Sequence, residues 1–345
     1  MKTNELTLLS TAIGSLPFVD ATEACRVMTD ILPIPAWPQL PRRNFKENMY
    51  AQYSEGFPGT VVDEAHERVW VDRTQDLGAG LECLYAAYLE NDVDFGAISP
   101  EYAAGLHVFL KAAAGRPWLA VKGQVTGPIS WGLTVTDQDK RAVLYDETLA
   151  DAVAKHLRLK AAWQERELRK LCDSTIIFVD EPYMSAYGSA FFSLERELVV
   201  RLLTETMAGI QGLIGVHCCG NTDWSLLLDT PVHILNFDAY AYAEAVALYP
   251  EAVRAFLRRG GLLAWGIVPS LDEAAIWRES VESLTDRLVA AMKLLTGKGV
   301  SFDNLLAGCL VTPSCGLGGR SEGAALRALQ LAVGVGAELR RRYGR

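Results

Sequence analysis

His217 and Cys219 stand two positions apart in Val216-His217-Cys218-Cys219-Gly220-Asn221-Thr222, and Cys315 stands in a second short piece, Thr312-Pro313-Ser314-Cys315-Gly316-Leu317-Gly318. Each piece follows an apolar run, 213–216 and 305–311, that reads as a buried strand. Successive side chains of a strand alternate faces, so His217 and Cys219 point one way and Cys218 the other. An imidazole and a thiolate so placed can grip one tetrahedral ion, and Cys315, in a Pro/Gly-rich turn, offers a third donor. Two Cys and one His make the ligand count of a catalytic zinc with a position open for substrate. A structural zinc knuckle shows close C-x-x-C pairs, and the chain has none. The competing reading is packing, because free cysteines are among the most buried residues.

Three more pieces put polar groups where strands end. Ala12-Ile13-Gly14-Ser15-Leu16-Pro17 is a Gly-Ser turn whose backbone N–H groups can hold a carboxylate. Val121-Lys122-Gly123-Gln124-Val125-Thr126-Gly127-Pro128 places Lys122 and Gln124 on one face. Phe178-Val179-Asp180-Glu181-Pro182 presents adjacent carboxylates before a helix-starting proline. Taken singly, each has a plainer explanation: an Asp before a helix is usually a cap, and Gly-Pro is usually a turn.

Residues this far apart need a scaffold that gathers strand ends. Apolar runs at 6–13, 34–37, 118–122, 175–179, 213–216, 233–237, 262–266 and 305–311 read as strands. Amphipathic stretches at 141–171, 193–209, 241–259, 271–295 and 322–343 read as helices between them. The alternation predicts an α/β fold with a parallel sheet, closed as a (β/α)8 TIM barrel. The stretch 44–116 is too long for one helix and is expected to be an N-terminal helical insertion. No linker, charge block or repeat divides the chain, so 1–345 is expected to be a single domain. In such barrels chemistry sits at the C-terminal strand ends, which is where His217, Cys219 and Cys315 fall.

Composition narrows the partners. A net charge of -9 over 345 residues argues against nucleic acid and anionic membrane. Seven scattered cysteines, an odd number, point to a reducing compartment and to thiol or metal chemistry. The start, Met1-Lys2-Thr3-Asn4-Glu5-Leu6, lacks the apolar core of a signal peptide, and no apolar run reaches membrane-spanning length. A soluble cytoplasmic protein is expected.

Ile-Gly-Ser-x-Pro at Ile13, Val-Lys-Gly-x-x-Thr-Gly-Pro at Val121, Val-Asp-Glu-Pro at Val179, His-x-Cys at His217 and Pro-x-Cys-Gly-Leu at Pro313 occur in a telling order. From Ile13 to Leu317 the chain resembles the C-terminal catalytic half of cobalamin-independent methionine synthase. In that family a barrel holds zinc by His, two Cys and a carboxylate, and the zinc carries homocysteine sulfur to a methyl donor. The resemblance implies His217, Cys219 and Cys315 as Zn2+ ligands, with Asp238 of Ile234-Leu235-Asn236-Phe237-Asp238 in place of the family's Glu. It implies Asp180 as the carboxylate that holds the amino group of homocysteine, and Ile13, Gly14 and Ser15 as the turn that orients the amino acid. Lys122, Gln124 and Glu181 are further candidate substrate contacts.

The departures concern the methyl donor. The family's full-length members carry an additional N-terminal half that binds polyglutamylated methylfolate, and a His-Ser-Pro-Arg segment whose His protonates the folate leaving group. The stretch 265–270 here has no His. A tertiary amine leaves poorly unless protonated, whereas methylcobalamin releases cob(I)alamin without a general acid. The Cys-Gly-Asn-Thr tail after His217 leans the same way. The resemblance therefore implies a zinc-dependent methyltransferase that takes the methyl from methylcobalamin, carried on a corrinoid protein, to homocysteine. A methylcobalamin:coenzyme M type methyltransferase and a non-catalytic zinc- or corrinoid-binding barrel are the alternatives; Asp180 favours an amino-acid substrate over the sulfonate of coenzyme M. Uroporphyrinogen decarboxylase shares the fold, but its Arg-rich motif has at most an echo in Arg42 and Arg43, and it needs no zinc.

Overall fold

The computed structural model of the protein describes residues 3–189 and 194–344. Residues 1 and 2 of the chain's start, and residue 193 of the expected helix 193–209, lie outside them. The strands are β1 (Thr60–Asp63), β2 (Arg68–Val71), β3 (Val121–Thr126), β4 (Thr136–Asp137), β5 (Thr175–Asp180), β6 (Leu213–Cys218), β7 (Ile234–Phe237), β8 (Leu262–Val268) and β9 (Cys309–Pro313). Six of them form one parallel sheet in the order β3-β5-β6-β7-β8-β9, with helices in the connections. The sheet curls, and two short segments lie along its free edges. Ser10 bridges to Val311 of β9, Ala36 bridges to Lys122 of β3, and Ile34 donates its N–H to the Ser10 carbonyl at 3.3 Å.

These two segments are what remains of the expected strands 6–13 and 34–37. Leu6 ends a 3-10 helix, Thr3–Leu6, and Leu8 has φ +60°, so the first run cannot extend along its length. Pro33, Pro35 and Pro38 lack the N–H donors that a ladder needs, so the second pairs at isolated points.

Other boundaries moved for equally local reasons. β3 starts at Val121, beyond the expected 118; Trp118 instead donates its indole N–H to Ala113 O at 2.8 Å, under the Arg116 guanidinium. The run 305–311 splits because Ser301 caps a short helix, Phe302–Ala307, whose buried face is Leu305 and Leu306, and the strand begins at Cys309. The expected helix 241–259 is two, Ala239–Val246 and Pro250–Arg258, since Pro250 starts a helix but cannot continue one. The expected helix 271–295 likewise breaks before Val281–Thr296, at the Ser280 cap. The stretch 44–116 holds helices Gly78–Glu90 and Ala104–Ala112, but it also contains the antiparallel hairpin β1-β2, against which β4 lies parallel.

Alternation along the strands builds the inside of the curl in layers. Ile176, Phe178, Ile234, Leu262, Ala264 and Leu310 pack there as an apolar plug. Gly215 makes room for it: a Cβ at that position would lie 2.1 Å from the Phe178 ring. Two residues further along the same faces, Phe178 gives way to Asp180, Gly215 to His217 and Ile234 to Asn236. The site thus rests on an apolar floor. Among the described residues no helix is long and apolar enough to cross a membrane.

Candidate metal centre

Three donor atoms, one each from His217, Cys219 and Cys315, lie within 4.8 Å of one another. Register explains the convergence: Asp180 of β5 pairs with His217 of β6, and His217 pairs with Asn236 of β7. Cys315 arrives just past the end of β9. Cys218 points the other way, fully buried in the core outside the curl. Among the described residues no other group of His, Cys, Asp and Glu donors converges in this manner.

The histidine is held from behind. Its Nδ1 lies within hydrogen-bonding distance of Asn236 Oδ1, and its Nε2 is buried without a hydrogen-bond partner. Asn236 was not expected at the site; the only signal was a polar residue in an apolar strand. The hydrogen bond to Cys315 is the largest influence on the Cys219 thiol and, with His217, pulls its pKa down to about 4, while the same hydrogen bond pushes Cys315 up. Burial on its own depresses His217, but the neighbouring Cys219 outweighs that and raises it. Groups so placed can share a proton, or release it when a cation binds.

A cavity of about 250 Å³ opens beside the trio, lined by Ile13, Ser15, Glu47, Asp180, His217 and Cys315 among others. Asp180 is 5% exposed, and its Oδ1 has no hydrogen-bond partner. Burial raises its pKa to about 6 against the opposing pull of His217 and Lys122. Glu47 is a second buried acid on this wall, with Arg43 Nε 3.2 Å from its Oε1; burial lifts its pKa to about 7. In sequence it looks like one half of an ordinary i,i+4 surface pair.

The remaining candidates do other work. Lys122, fully buried, donates from Nζ to Ile13 O at 2.6 Å and to Gln124 Oε1 at 3.3 Å, and burial draws its pKa down to about 8. Gln124 donates to Trp37 O at 3.2 Å, and a Cβ on Gly14 would lie 2.6 Å from its side chain. Both therefore support the 13–15 turn from beneath and do not line the cavity. Ser15 Oγ accepts from Gly318 N–H at 3.3 Å, tying that turn to the loop after Cys315. Glu181 faces away: Oε1 accepts from Ile129 N–H at 3.0 Å, and Oε2 from Ser130 N–H at 2.7 Å and Ser130 Oγ at 2.6 Å. It caps the helix Pro128–Thr134. Asp238 caps the helix Ala239–Val246, its Oδ1 accepting from Ala241 N–H at 2.8 Å, and it stands outside the converging trio.

No protein-family model and no curated protein matches the chain. Solved structures do. A B12-independent methionine synthase from Shewanella sp. W3-18-1, in complex with selenomethionine, superposes with a TM-score of 0.62 at 15% identity, covering 97% of this chain and 98% of that one. A putative vitamin-B12 independent methionine synthase from Listeria monocytogenes gives 0.57 at 13% identity, over 92% of this chain and 85% of that one. A methyltransferase from Methanosarcina mazei gives 0.62 at 11% identity, over 98% of both. The chain shares the fold of these methionine synthase-like and methyltransferase proteins over nearly its whole length.

Proposed function

We propose that this protein is a zinc-dependent thiol methyltransferase that methylates homocysteine to methionine from a methylated corrinoid. Chain 1–345 is read as one domain, a (β/α)8 barrel in which the Ser10 and Ala36 segments complete the eight strands. The observation that carries the reading is the meeting of His217, Cys219 and Cys315 around a buried, unpartnered Nε2. Two sulfurs and one imidazole suit Zn2+, with Asp238 as the candidate carboxylate ligand. When bound there, zinc supplies Lewis acidity that lets a substrate thiol give up its proton near neutral pH.

The chain's own residues would then choose and orient the thiol. Asp180 offers a bare carboxylate oxygen to an α-ammonium group, and the turn Ile13-Gly14-Ser15, propped by Lys122 and Gln124, faces the amino-acid carboxylate. A wall carrying both Asp180 and Glu47 disfavours the sulfonate of coenzyme M. The selenomethionine held by the Shewanella protein supports an amino acid bearing a thioether as product.

The donor reading rests on the segment at the end of β8. Residues 265–270 include no titratable side chain, and Ser270 Oγ is engaged with Ser314 Oγ at 2.8 Å. No proton donor stands there for an amine leaving group, and cob(I)alamin needs none. The thiol chemistry fits a reducing compartment such as the cytoplasm. The test is anaerobic: zinc-loaded protein, homocysteine and either methylcobalamin, a methylated corrinoid protein or methyltetrahydrofolate, with methionine measured by mass spectrometry. Methionine from a corrinoid donor is the expected outcome. Turnover with methyltetrahydrofolate alone overturns the donor assignment, and zinc binding without turnover from any donor favours a non-catalytic barrel.

A further inference from the structure

We propose that Asn236 is a positioning residue that locks His217 in the tautomer with its proton on Nδ1, leaving the Nε2 lone pair for the metal. The inference rests on the zinc reading above and adds to it the device that presents the imidazole.

Atoms that cannot change role fix the arrangement. A backbone carbonyl only accepts, so Ala264 O, 2.8 Å from the Asn236 side chain, must face its NH2 group. Thr312 Oγ1, also at 2.8 Å, takes the second amide hydrogen. With both Nδ2 hydrogens assigned, the amide cannot flip, and Oδ1 must face His217. An amide oxygen accepts and cannot donate, so the ring nitrogen against it, Nδ1, must be the one that bears hydrogen. In a neutral ring Nε2 is then the bare nitrogen, and it is the buried atom without a partner. β6, β7, β8 and β9 each contribute to this chain of bonds, so a ligand is aimed by the sheet itself.

The residue type matters. Asp at 236 would set a carboxylate oxygen against the Ala264 carbonyl, and Leu would keep the volume while freeing the ring to rotate or change tautomer. Partners of this kind behind a metal-binding histidine contribute on the order of 10- to 100-fold in metal affinity.

The test uses full-length protein, zinc itself as the probe, and two readouts that do not depend on turnover. Nitrogen-15 histidine NMR of zinc-loaded wild type reports which ring nitrogen of His217 keeps its proton; Nδ1 is expected. Chelator competition then compares wild type, Asn236→Leu and Thr312→Val. A loss of roughly 10- to 100-fold is expected for Asn236→Leu and a smaller one for Thr312→Val, which leaves the His217–Asn236 bond in place. A proton on Nε2 in wild type, or unchanged affinity in a folded Asn236→Leu, overturns the inference while the zinc reading stands. Should Asn236→Leu fail to fold, the wild-type spectrum alone still decides. Wild type that binds no zinc overturns the zinc reading and this inference with it.

Discussion

Asp180 and Glu181 are consecutive, both buried and both acidic, yet the strand assigns them opposite tasks. Alternation turns Asp180 inward toward His217 and Glu181 outward over the start of the helix Pro128–Thr134. Glu181 is fully used, its two oxygens accepting three hydrogen bonds. Asp180 keeps an oxygen with no partner in the wall of the cavity. A buried polar atom left unpaired costs about 1–3 kcal/mol, so it persists where a ligand satisfies it. The same contrast separates Lys122 and Gln124, which prop the 13–15 turn, from His217, whose Nε2 waits beside two sulfurs.

The sharpest break in that contrast is at the metal donors. Cys219→Ser and Cys315→Ser should each reduce zinc from about one ion per chain to near none after dialysis, while Cys218→Ser should leave it unchanged. Elemental analysis of the three purified variants decides it. A Cys218 variant as depleted as the Cys219 variant would mean that alternation does not sort these side chains.

Glu181→Ala should show the reverse pattern. Removing the cap leaves Ile129 and Ser130 N–H groups buried and unbonded, which predicts a loss of about 3 kcal/mol in urea denaturation with zinc content intact. Normal stability with lost zinc would move Glu181 into the site and erase its difference from Asp180.

Legibility before folding depends on the kind of signal. The pair at 217 and 219 and the cysteine at 315 were legible because period-two alternation and strand-end placement depend only on local pattern. The central strands were legible as continuous apolar runs, all of them buried in β5 and nearly so in β6. The first two strands were not, because their pairing is limited by a positive φ at Leu8 and by prolines around Ala36, and apolar content is blind to both. Asn236 and Glu47 escaped because their importance lies in partners and cavity walls far away in sequence. Position alone makes Glu181, Lys122 and Gln124 look like substrate contacts, but hydrogen-bond satisfaction is a tertiary property.

Asp180→Asn sharpens the inward half of the comparison. It keeps the shape and removes the charge proposed to meet the α-ammonium group, so homocysteine affinity should fall by about 2 kcal/mol with zinc occupancy unchanged. Calorimetric titration of zinc-loaded protein gives both numbers. Equal affinity in the two proteins would remove Asp180 from substrate binding and reopen the coenzyme M alternative.

A last effect is expected in pH, where burial and three hydrogen bonds pull the Glu181 carboxyl in opposite directions. Burial wins and lifts its pKa from 4.5 to about 7, with the bonds from Ser130 and Ile129 opposing. A carboxyl whose folded pKa lies above its unfolded value binds a proton more readily in the folded state. Its contribution to stability is therefore complete below the unfolded value of 4.5 and is lost as pH rises through about 7. Glu181→Gln, which does not titrate, supplies the baseline for the two metal-free proteins. The stability of wild type relative to Glu181→Gln should be greatest near pH 4.5, shrink towards pH 7 and change little above it. Urea midpoints at pH 4.5, 6 and 8 measure the trend. A relative stability that grows with pH would show that the helix N–H groups hold this carboxyl ionised, and Glu181 would then be the charged cap that its hydrogen bonds alone suggest.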